Sequence, residues 1–237
     1  MGKNTESLLD LSVDCVVFGF DNDKLKLLVI EQERAAKNNL PRKALPGNLV
    51  FESESLDDAA GRVLKELTGL NGVYLRQFYT FGNPERVRDL KDQEWLRKFR
   101  QRPDSRVISV AYYSLVKMED YHLSPSSFAE NAEWIDIDEI PQLAFDHNEI
   151  VDRAIGKLRK DTQNYNISFK LLPNKFTLGQ LQKLYEVILN KELDKRNFRK
   201  SIRKIEELVP LDEKQKNVDH KPAQLFMFRQ LNKNIPF

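Results

Sequence analysis

Three glutamates and one arginine are clustered in the segment that runs from Gly47 to Gly69. They are Glu52, Glu54, Arg62 and Glu66. Glutamate carboxylates supply the oxygen ligands that hard divalent cations such as Mg²⁺ require. A cation bound there could bridge the oxygens of a diphosphate and activate water for its hydrolysis. The segment is therefore a candidate for metal-assisted hydrolysis, provided that enough acids are present to hold the metal.

A turn, a loop and a helix must position these side chains. Pro46-Gly47-Asn48 is a turn signal, Ser55 is a candidate helix N-cap, and Gly69 stands where a glycine C-cap belongs. Between the two caps, apolar residues recur at helical spacing, namely Leu56, Ala59, Ala60, Val63, Leu64 and Leu67. We therefore predict one amphipathic helix between Ser55 and Gly69.

The segment as a whole resembles the Nudix box. That pattern reads Gly, five residues, Glu, seven residues, then Arg-Glu-apolar-x-Glu-Glu-x-Gly-apolar. The resemblance is carried by Leu45-Pro46-Gly47 at the front and by Leu67-Thr68-Gly69-Leu70 at the back. It implies that the first part of the chain has the α/β (α+β) sandwich of the Nudix fold.

Two acids of the box are replaced. Counted back from Gly69, Arg62 and Glu66 match the pattern, whereas Val63 and Leu67 stand where the resemblance requires carboxylates. Because the stretch before Arg62 is one residue too long, Glu54 takes the place of the upstream glutamate. Valine and leucine offer no oxygen to a cation. We therefore expect no catalytic residue, no metal site, no cofactor and no enzymatic activity.

Composition and charge describe the rest of the chain. The 237 residues contain no apolar run long enough to span a membrane and no signal-peptide pattern, so we expect a cytoplasmic protein. Cys15 is the single cysteine and lies in an apolar run, which favours a structural role. From residue 163 onward the chain contains 15 Lys and Arg but only 8 Asp and Glu, which gives a net charge of +7. This excess indicates a module that binds a polyanion.

Hydrophobic patterns predict the order of the elements. Strands are expected at 12–20, 25–31, 74–81, 107–116 and 134–137, with a hairpin turn at Asp21-Asn22-Asp23. A helix is expected at 147–160. The charged residues 84–106 are expected to form a loop with a helical turn near 94–100. These elements make up a Nudix-like effector-sensing domain over 1–160, which a linker at 161–175 joins to a second domain at 176–237.

The second domain has the order of a winged helix. Thr177-Leu178-Gly179-Gln180 has the form of a capping box and opens one helix, and Asp194 caps the next, with Phe198, Ile202 and Ile205 facing inward. Two strands follow, at 208–211 and 225–228. In a winged helix the second helix enters the major groove and the wing lies against phosphates. The expected DNA contacts are Lys195, Arg196, Asn197, Arg199, Lys200 and Arg203 on the helix, and Lys214, Lys216 and Lys221 in the wing.

Both domains together resemble the Nudix-related transcriptional regulators. Outside the box the likeness is carried by Ala144-Phe145-Asp146-His147-Asn148, Phe176-Thr177-Leu178, Leu193–Lys200 and Lys221-Pro222-Ala223. The resemblance implies a homodimer that represses an operon by binding palindromic double-stranded operator DNA, and that releases the DNA when a small metabolite binds. Effectors known in the family include ADP-ribose and, in a branch of the Bacteroidetes, L-arabinose.

The apolar replacements in the box favour an uncharged effector, so we expect L-arabinose and a carbohydrate-utilisation operon. A pentose needs several polar partners beside an apolar wall. The candidate effector-binding residues are Asp14, Glu31, Lys43, Asn48, Tyr79, Asp146 and His147, with Lys43 paired to either Asp14 or Glu31. Two alternatives remain open. One is a repressor that senses ADP-ribose or another nucleotide, and the other is a residual hydrolase that uses the three glutamates of the box segment.

Overall fold

A computed structural model describes residues 9–21, 23–32, 42–163, 175–216 and 221–229 of the chain. The chain forms two compact units. The first comprises Met1–Gly19 and Lys26–Lys157, and the second comprises Phe20–Leu25 and Leu158–Phe237. The chain crosses between the units within the first hairpin and within one helix. Each unit is described by itself below.

The first unit is built on one mixed sheet. Its strands are β1 (Leu9–Phe20), β2 (Leu25–Gln32), β3 (Lys43–Ala44), β4 (Gly47–Leu49), β5 (Arg76–Phe81), β6 (Arg106–Lys117) and β7 (Ala129–Asp136). The strand order is β3-β2-β1-β6-β5, with β4 paired to β1 and β7 paired to β2. Three helices accompany it, α1 (Leu56–Thr68), α2 (Leu90–Phe99) and α3 (His147–Gln163). β1 is buried on both faces from Ser12 to Phe20, as expected for a central strand.

Helix α1 has the predicted caps. The Ser55 hydroxyl accepts a hydrogen bond from the Asp58 amide in a capping box, and Gly69 closes the helix in the left-handed conformation at φ 82°. The apolar face of α1 packs into the core, where Val63 and Leu67 are fully buried and Leu56 is partly buried. The amphipathic pattern therefore predicted both the helix and the side that it buries.

The thiol of Cys15 lies in this same core. It is buried and faces α1, with Sγ 3.7 Å from the carbonyl oxygen of Ala60. Burial raises the pKa of the Cys15 thiol far above its usual value, and the nearby negative charge of Asp14 adds to the effect. The predicted structural role agrees with this environment.

The charged segment 84–106 is more ordered than predicted. It contains a ten-residue helix, α2, rather than a loop with one helical turn. Asp89 caps the helix by accepting a hydrogen bond from the Lys91 amide. Trp95 and Leu96 are buried against the sheet core. Burial of these two apolar side chains stabilises a helix that the abundance of charges had concealed.

The second unit contains helices α4 (Leu178–Leu189) and α5 (Lys195–Ile202) and a hairpin of β8 (Leu208–Lys214) and β9 (Gln224–Phe228). The capping box at Thr177 is present as predicted. Helix α5 is shorter than expected, because Arg203 already serves as its C-cap, and Ile205 is half-buried beyond the helix end. A bridge between Phe176 and Phe226 joins the entry to α4 to the hairpin.

Helix α3 extends three residues into the predicted linker. It ends at Gln163 rather than at residue 160 because Thr162 is buried and its hydroxyl donates to the carbonyl of Leu158. Residues 164–174 of the predicted linker lie outside the described residues. In the described part of the chain no helix is both long enough and apolar enough to cross a membrane.

Candidate functional site

A cleft opens in the first unit beside the sheet. It has about 570 Å³ of empty space, with its open mouth included. Its wall combines the strands β1 to β4, the charged segment and the start of α3. The lining residues are Ser12, Asp14, Ile30, Ala44, Leu45, Gly47, Asn48, Arg86, Val87, Trp95, Leu96, Arg100, Val107, Phe128, Phe145 and His147. The cleft is therefore apolar over much of its surface, with a small number of charged groups inside it.

Asp14 is the buried acid of the cleft. It lies on β1 with 5% of its surface exposed, and it accepts a short hydrogen bond from the Ser109 hydroxyl. Its oxygens also lie 3.3 Å from Arg86 Nη2 and 3.5 Å from His147 Nε2. Burial by itself raises the pKa of the Asp14 carboxyl, but the opposing charges and hydrogen bonds hold that pKa well below its usual value. Asp14 is therefore a carboxylate at neutral pH.

Arg86 joins two parts of the wall. Its Nε and Nη2 donate to the two oxygens of Asp146 at 2.9 and 2.8 Å, while Nη2 also reaches Asp14 on β1. The Arg86 side chain is only 3% exposed. Burial lowers the pKa of the guanidinium, but its two acidic partners reverse the effect and raise it. We call these three residues, Asp14, Arg86 and Asp146, the Arg86 clamp.

His147 fixes the loop that carries Gly47. Its Nδ1 accepts a hydrogen bond from the Leu45 amide at 2.9 Å, and its Nε2 lies 3.5 Å from an Asp14 carboxylate oxygen. Gly47 lies so close that a Cβ atom there would come within 2.0 Å of an Asp14 carboxylate oxygen. A glycine is therefore required at this point of the turn for steric reasons.

Arg100 is a cation of the cleft that forms no ion pair with the residues that the structure describes. Its Nη1 is buried and makes no hydrogen bond to any residue that the structure describes. Burial lowers the pKa of the Arg100 guanidinium. Arg42 also has a buried Nη1 without a well-aligned hydrogen bond, but that atom lies 2.7 Å from a carboxylate oxygen of Asp92. Arg100 has no comparable acid within ion-pair distance in the described part of the chain.

Aromatic side chains form the apolar part of the wall. Trp95 from α2 packs edge-on against Phe145 with 5.9 Å between ring centroids, and Phe145 lies 5.1 Å from the His147 ring. Phe145 has a positive φ of 57°. Together with Phe128 these rings make one side of the cleft aromatic.

The box segment does not fit a metal. Arg62 donates to both oxygens of Glu54 at 2.8 and 2.6 Å and to Glu66 at 3.2 Å, so two of the remaining acids are already neutralised. The hydrogen bonds from Arg62 lower the pKa of Glu54. Val63 and Leu67 are fully buried and offer no oxygen. Among the residues described, no group of three His, Cys, Asp or Glu side chains has the geometry of a metal site.

The structure brings three of the seven predicted effector residues together in the cleft, namely Asp14, Asn48 and His147. Asp146 is not among the lining residues, but it pairs with Arg86, which is one of them.

The other three predicted residues lie elsewhere. Lys43 pairs with Glu31 at 3.5 Å and also contacts Glu133, so of the two open pairings for Lys43 the structure has the one with Glu31. Tyr79 lies under Arg153 of α3, with the guanidinium 4.4 Å from the ring centroid.

Four further residues of the cleft are not among those predicted from the sequence, namely Arg86, Trp95, Arg100 and Phe145. Trp95 and Phe145 were visible in the sequence as aromatic residues beside charged ones, but their partners were not.

The predicted DNA-binding residues share one property, because all of them are exposed. On α5 these are Lys195, Arg196, Asn197, Arg199, Lys200 and Arg203, and in the hairpin they are Lys214, Lys216 and Lys221. The opposite face of α5 is buried through Phe198, which packs edge-on against Tyr185 of α4 at 5.4 Å. No acid of the described chain forms an ion pair with the α5 cations.

A sandwich with a cleft that holds a few charged groups, followed by a basic winged helix, defines a DNA-binding transcriptional regulator with a ligand-binding domain. Two family models match the chain accordingly: the NUDIX domain over residues 8–154 and the NrtR DNA-binding winged helix domain over residues 168–228. The protein therefore belongs to the NUDIX family, in the group whose NUDIX domain is followed by an NrtR-type DNA-binding winged helix. The expected fold class is confirmed.

Known proteins with both domains are similar to most of the chain. The ADPR responsive transcriptional repressor NtrR of Acinetobacter baylyi is 30% identical over 226 residues, which cover 92% of this chain and 81% of that protein. Shewanella oneidensis NrtR in complex with a 27mer DNA superposes with a TM-score of 0.65 at 23% identity, covering 92% of this chain and 93% of that one.

A structure of the first domain alone is also similar. The NUDIX domain of Shewanella oneidensis NrtR complexed with ADP ribose matches with a TM-score of 0.52 at 23% identity, covering 67% of this chain and 94% of that one. At these identities the two Shewanella structures establish the fold alone. The L-arabinose branch expected from the sequence finds no support in these comparisons.

Proposed function

We propose that the protein is a transcriptional repressor whose NUDIX cleft binds ADP-ribose, or a closely related nucleoside diphosphate, and that effector binding releases operator DNA. The effector is the point on which the proposal departs from the sequence-based expectation. Support comes from the Acinetobacter baylyi relative, which is an ADPR responsive repressor and spans both domains.

Arg100 is the observation that carries the proposal. Its Nη1 is buried and makes no hydrogen bond to any described residue, and a buried donor that lacks an acceptor is unfavourable because it has lost its interaction with water. A phosphate group would remove that cost, since arginine matches phosphate oxygens in both charge and geometry. The aromatic wall at Trp95 and Phe145 suits a base or another planar group. A diphosphate linked to a planar ring therefore satisfies both features of the cleft.

Hydrolysis is not part of the proposal. Helix α1 buries Val63 and Leu67 in the core, and Arg62 donates hydrogen bonds to the carboxylates of Glu54 and Glu66. The effector would therefore bind without being cleaved.

DNA binding is proposed to involve a homodimer. One winged helix covers one half of an operator, so a two-fold dimer on a palindromic site is expected. Base contacts come from the N-terminal part of α5, while the exposed lysines of the hairpin lie against phosphates. Because its partner is operator DNA, the protein would act in the cytoplasm.

L-arabinose is the second candidate effector. The observation that favours it is the position of Asp14, Asn48 and His147, which all line the same cleft and could bond to sugar hydroxyls. A pentose would not require a cation, however, and it would bring no negative charge to Arg100. The two candidates therefore differ in how strongly their binding depends on Arg100.

Arg100→Met tests the choice between them. A hydrogen bond to a charged group contributes about 1.5–3 kcal/mol, so the variant should bind ADP-ribose about 10- to 150-fold more weakly by calorimetry. Arg97→Met is the control, because Arg97 is exposed three residues earlier on α2. Thermal shift with ADP-ribose and with L-arabinose, each with and without Mg²⁺, gives the wild-type preference. A shift with L-arabinose alone would replace the nucleotide by the sugar, and no shift with either would refute both effectors.

A further inference from the structure

The Arg86 clamp connects two elements of the first unit that are far apart in sequence. Asp14 is on β1, and Asp146 immediately precedes His147, the first residue of α3. Arg86 bonds to both carboxylates, with N–O distances of 2.8 to 3.3 Å. The bond to Asp146 is bidentate, a geometry that fixes orientation as well as distance. The clamp therefore sets the position of the start of α3 relative to β1.

These same two elements continue into the second compact unit. The boundaries between the units fall after Gly19 near the end of β1, after Leu25 at the start of β2, and after Lys157 within α3. The chain passes from one unit to the other at those three points. The clamp therefore holds together the two elements through which the chain enters the DNA-binding unit.

Both elements contact α4 within the second unit. At the end of α3, Leu158 is fully buried and Arg159 Nε donates to the carbonyl of Ile188 in the last turn of α4 at 3.1 Å. In the hairpin that follows β1, Asp23 forms an ion pair at 3.0 Å with Lys183 of α4. A shift of either element would therefore alter its contacts with α4. Helix α4 in turn packs against α5 through Tyr185 and Phe198.

The clamp also borders the cleft. Asp14 and Arg86 both line it, so an effector that bonds to either of them competes with the bonds inside the clamp. We infer that Arg86 and Asp146 are positioning residues for regulation: the clamp transmits occupancy of the cleft to the DNA-binding unit along β1 and α3. This inference rests on the proposed function, since it requires an effector that alters DNA affinity.

The test measures coupling rather than affinity. The measured quantity is the dissociation constant of the operator with saturating effector divided by the dissociation constant without effector. Thermodynamic linkage requires that the effector bind free protein more tightly than DNA-bound protein by the same ratio. The effectors tested are ADP-ribose and L-arabinose. The DNA is a palindromic duplex selected with the full-length protein, and its binding is measured by fluorescence anisotropy. A residue with a merely structural role would lower the melting temperature without changing this ratio.

Asp146→Asn breaks the α3 side of the clamp while keeping the size of the side chain. We expect the wild-type ratio to lie in the usual range of about 5- to 150-fold and to fall to about twofold in the variant. Arg86→Lys is the second variant, because lysine keeps the charge but cannot bridge both acids. Asp152→Asn is the matched control, since it removes the same charge from an exposed position on α3 and should keep the wild-type ratio.

The outcomes separate the two proposals. A wild-type protein whose DNA affinity responds to neither effector would refute the proposed function, and the inference with it. A responsive wild type together with an equally responsive Asp146→Asn and Arg86→Lys would overturn the inference alone. An equal loss of coupling in Asp152→Asn would also overturn it, because the effect would then come from the charge of α3 rather than from the clamp.

Discussion

The cleft and the recognition helix use charge in opposite ways. In the cleft, Asp14, Arg86 and Asp146 are largely buried and compensate one another. On α5 the cations are exposed and have no acidic partner in the described chain, while the opposite face of the helix is buried through Phe198 and Ile202. Buried, paired charges give a preformed site for a small ligand, but they also become part of the folding energy. Exposed, unpaired cations add little to folding and remain available for phosphates and base edges.

The largest effect that this comparison predicts is on stability. Arg86→Gln would leave the Asp14 and Asp146 carboxylates without their cation, and breaking a buried pair in this way costs about 3–5 kcal/mol. We expect a loss of that size in the free energy of unfolding, measured by urea titration. The control is Arg88→Gln, because Arg88 is 65% exposed and pairs with the nearby exposed Glu85. Its loss should stay within about 0.5 kcal/mol.

The deficit of Arg86→Gln should also depend on pH. The pKa of Asp14 is depressed in the folded protein, so its contribution to stability is fully present above the unfolded-state pKa of about 3.9 and is lost as the pH falls below it. The difference between the variant and the wild type should therefore shrink in acid. A difference that grows in acid would contradict the paired state of Asp14.

The intermediate effect is on DNA affinity. Arg196 is exposed in the first turn of α5, the part of a recognition helix that meets base edges. Arg196→Ala should weaken operator binding by about 1–3 kcal/mol, or about 5- to 150-fold, and relax the preference for the operator over random duplex. Its free energy of unfolding should change by no more than about 0.5 kcal/mol.

Lys216→Ala is the control for Arg196→Ala. As an exposed hairpin lysine it should weaken operator and random duplex alike and lower the salt dependence by about one unit of slope. Equal losses of specificity in the two variants would mean that α5 does not read bases. A large loss of stability in Arg196→Ala would contradict the idea that the exposed cations of α5, unlike the buried charges of the cleft, add little to folding.

The smallest effect is expected at the box. Glu66 is partly exposed and bonds to Arg62, and no metal geometry surrounds it in the described residues. Glu66→Gln should therefore bind ADP-ribose with wild-type affinity, and Mg²⁺ should change neither that affinity nor the amount of intact ADP-ribose recovered. Hydrolysis that requires Mg²⁺ and disappears in Glu66→Gln would restore the hydrolase alternative.

The sequence predicted local structure better than it predicted partners. The N-cap at Ser55, the capping box at Thr177 and the apolar face of α1 depend on residues close together in sequence, so the local pattern alone revealed them. Asp14 was conspicuous as an acid within an apolar strand, and it does line the cleft. These features share one property, which is that their physical cause lies within a single element.

The rest of the site depends on contacts between distant segments. Arg86 meets Asp146 across 60 residues and Asp14 across 72. Nothing in a segment rich in both charges distinguishes Arg86 and Arg100 from their exposed neighbours. Lys43 was assigned to the cleft, but strand pairing places it beside Glu31 and next to Glu133. Burial and register decide these cases, and neither can be read from the local pattern.

Labelling of the Cys15 thiol can report transient opening of the NUDIX core. Cys15 is the single cysteine of the chain, it is buried beneath α1, and its thiol stays protonated because burial raises its pKa. Since the thiolate is the reactive form, oxidants and alkylating reagents cannot modify the closed protein at an appreciable rate. Any modification of this sulfur therefore records a molecule in which the NUDIX core has opened, so the speed of thiol labelling measures how often that happens.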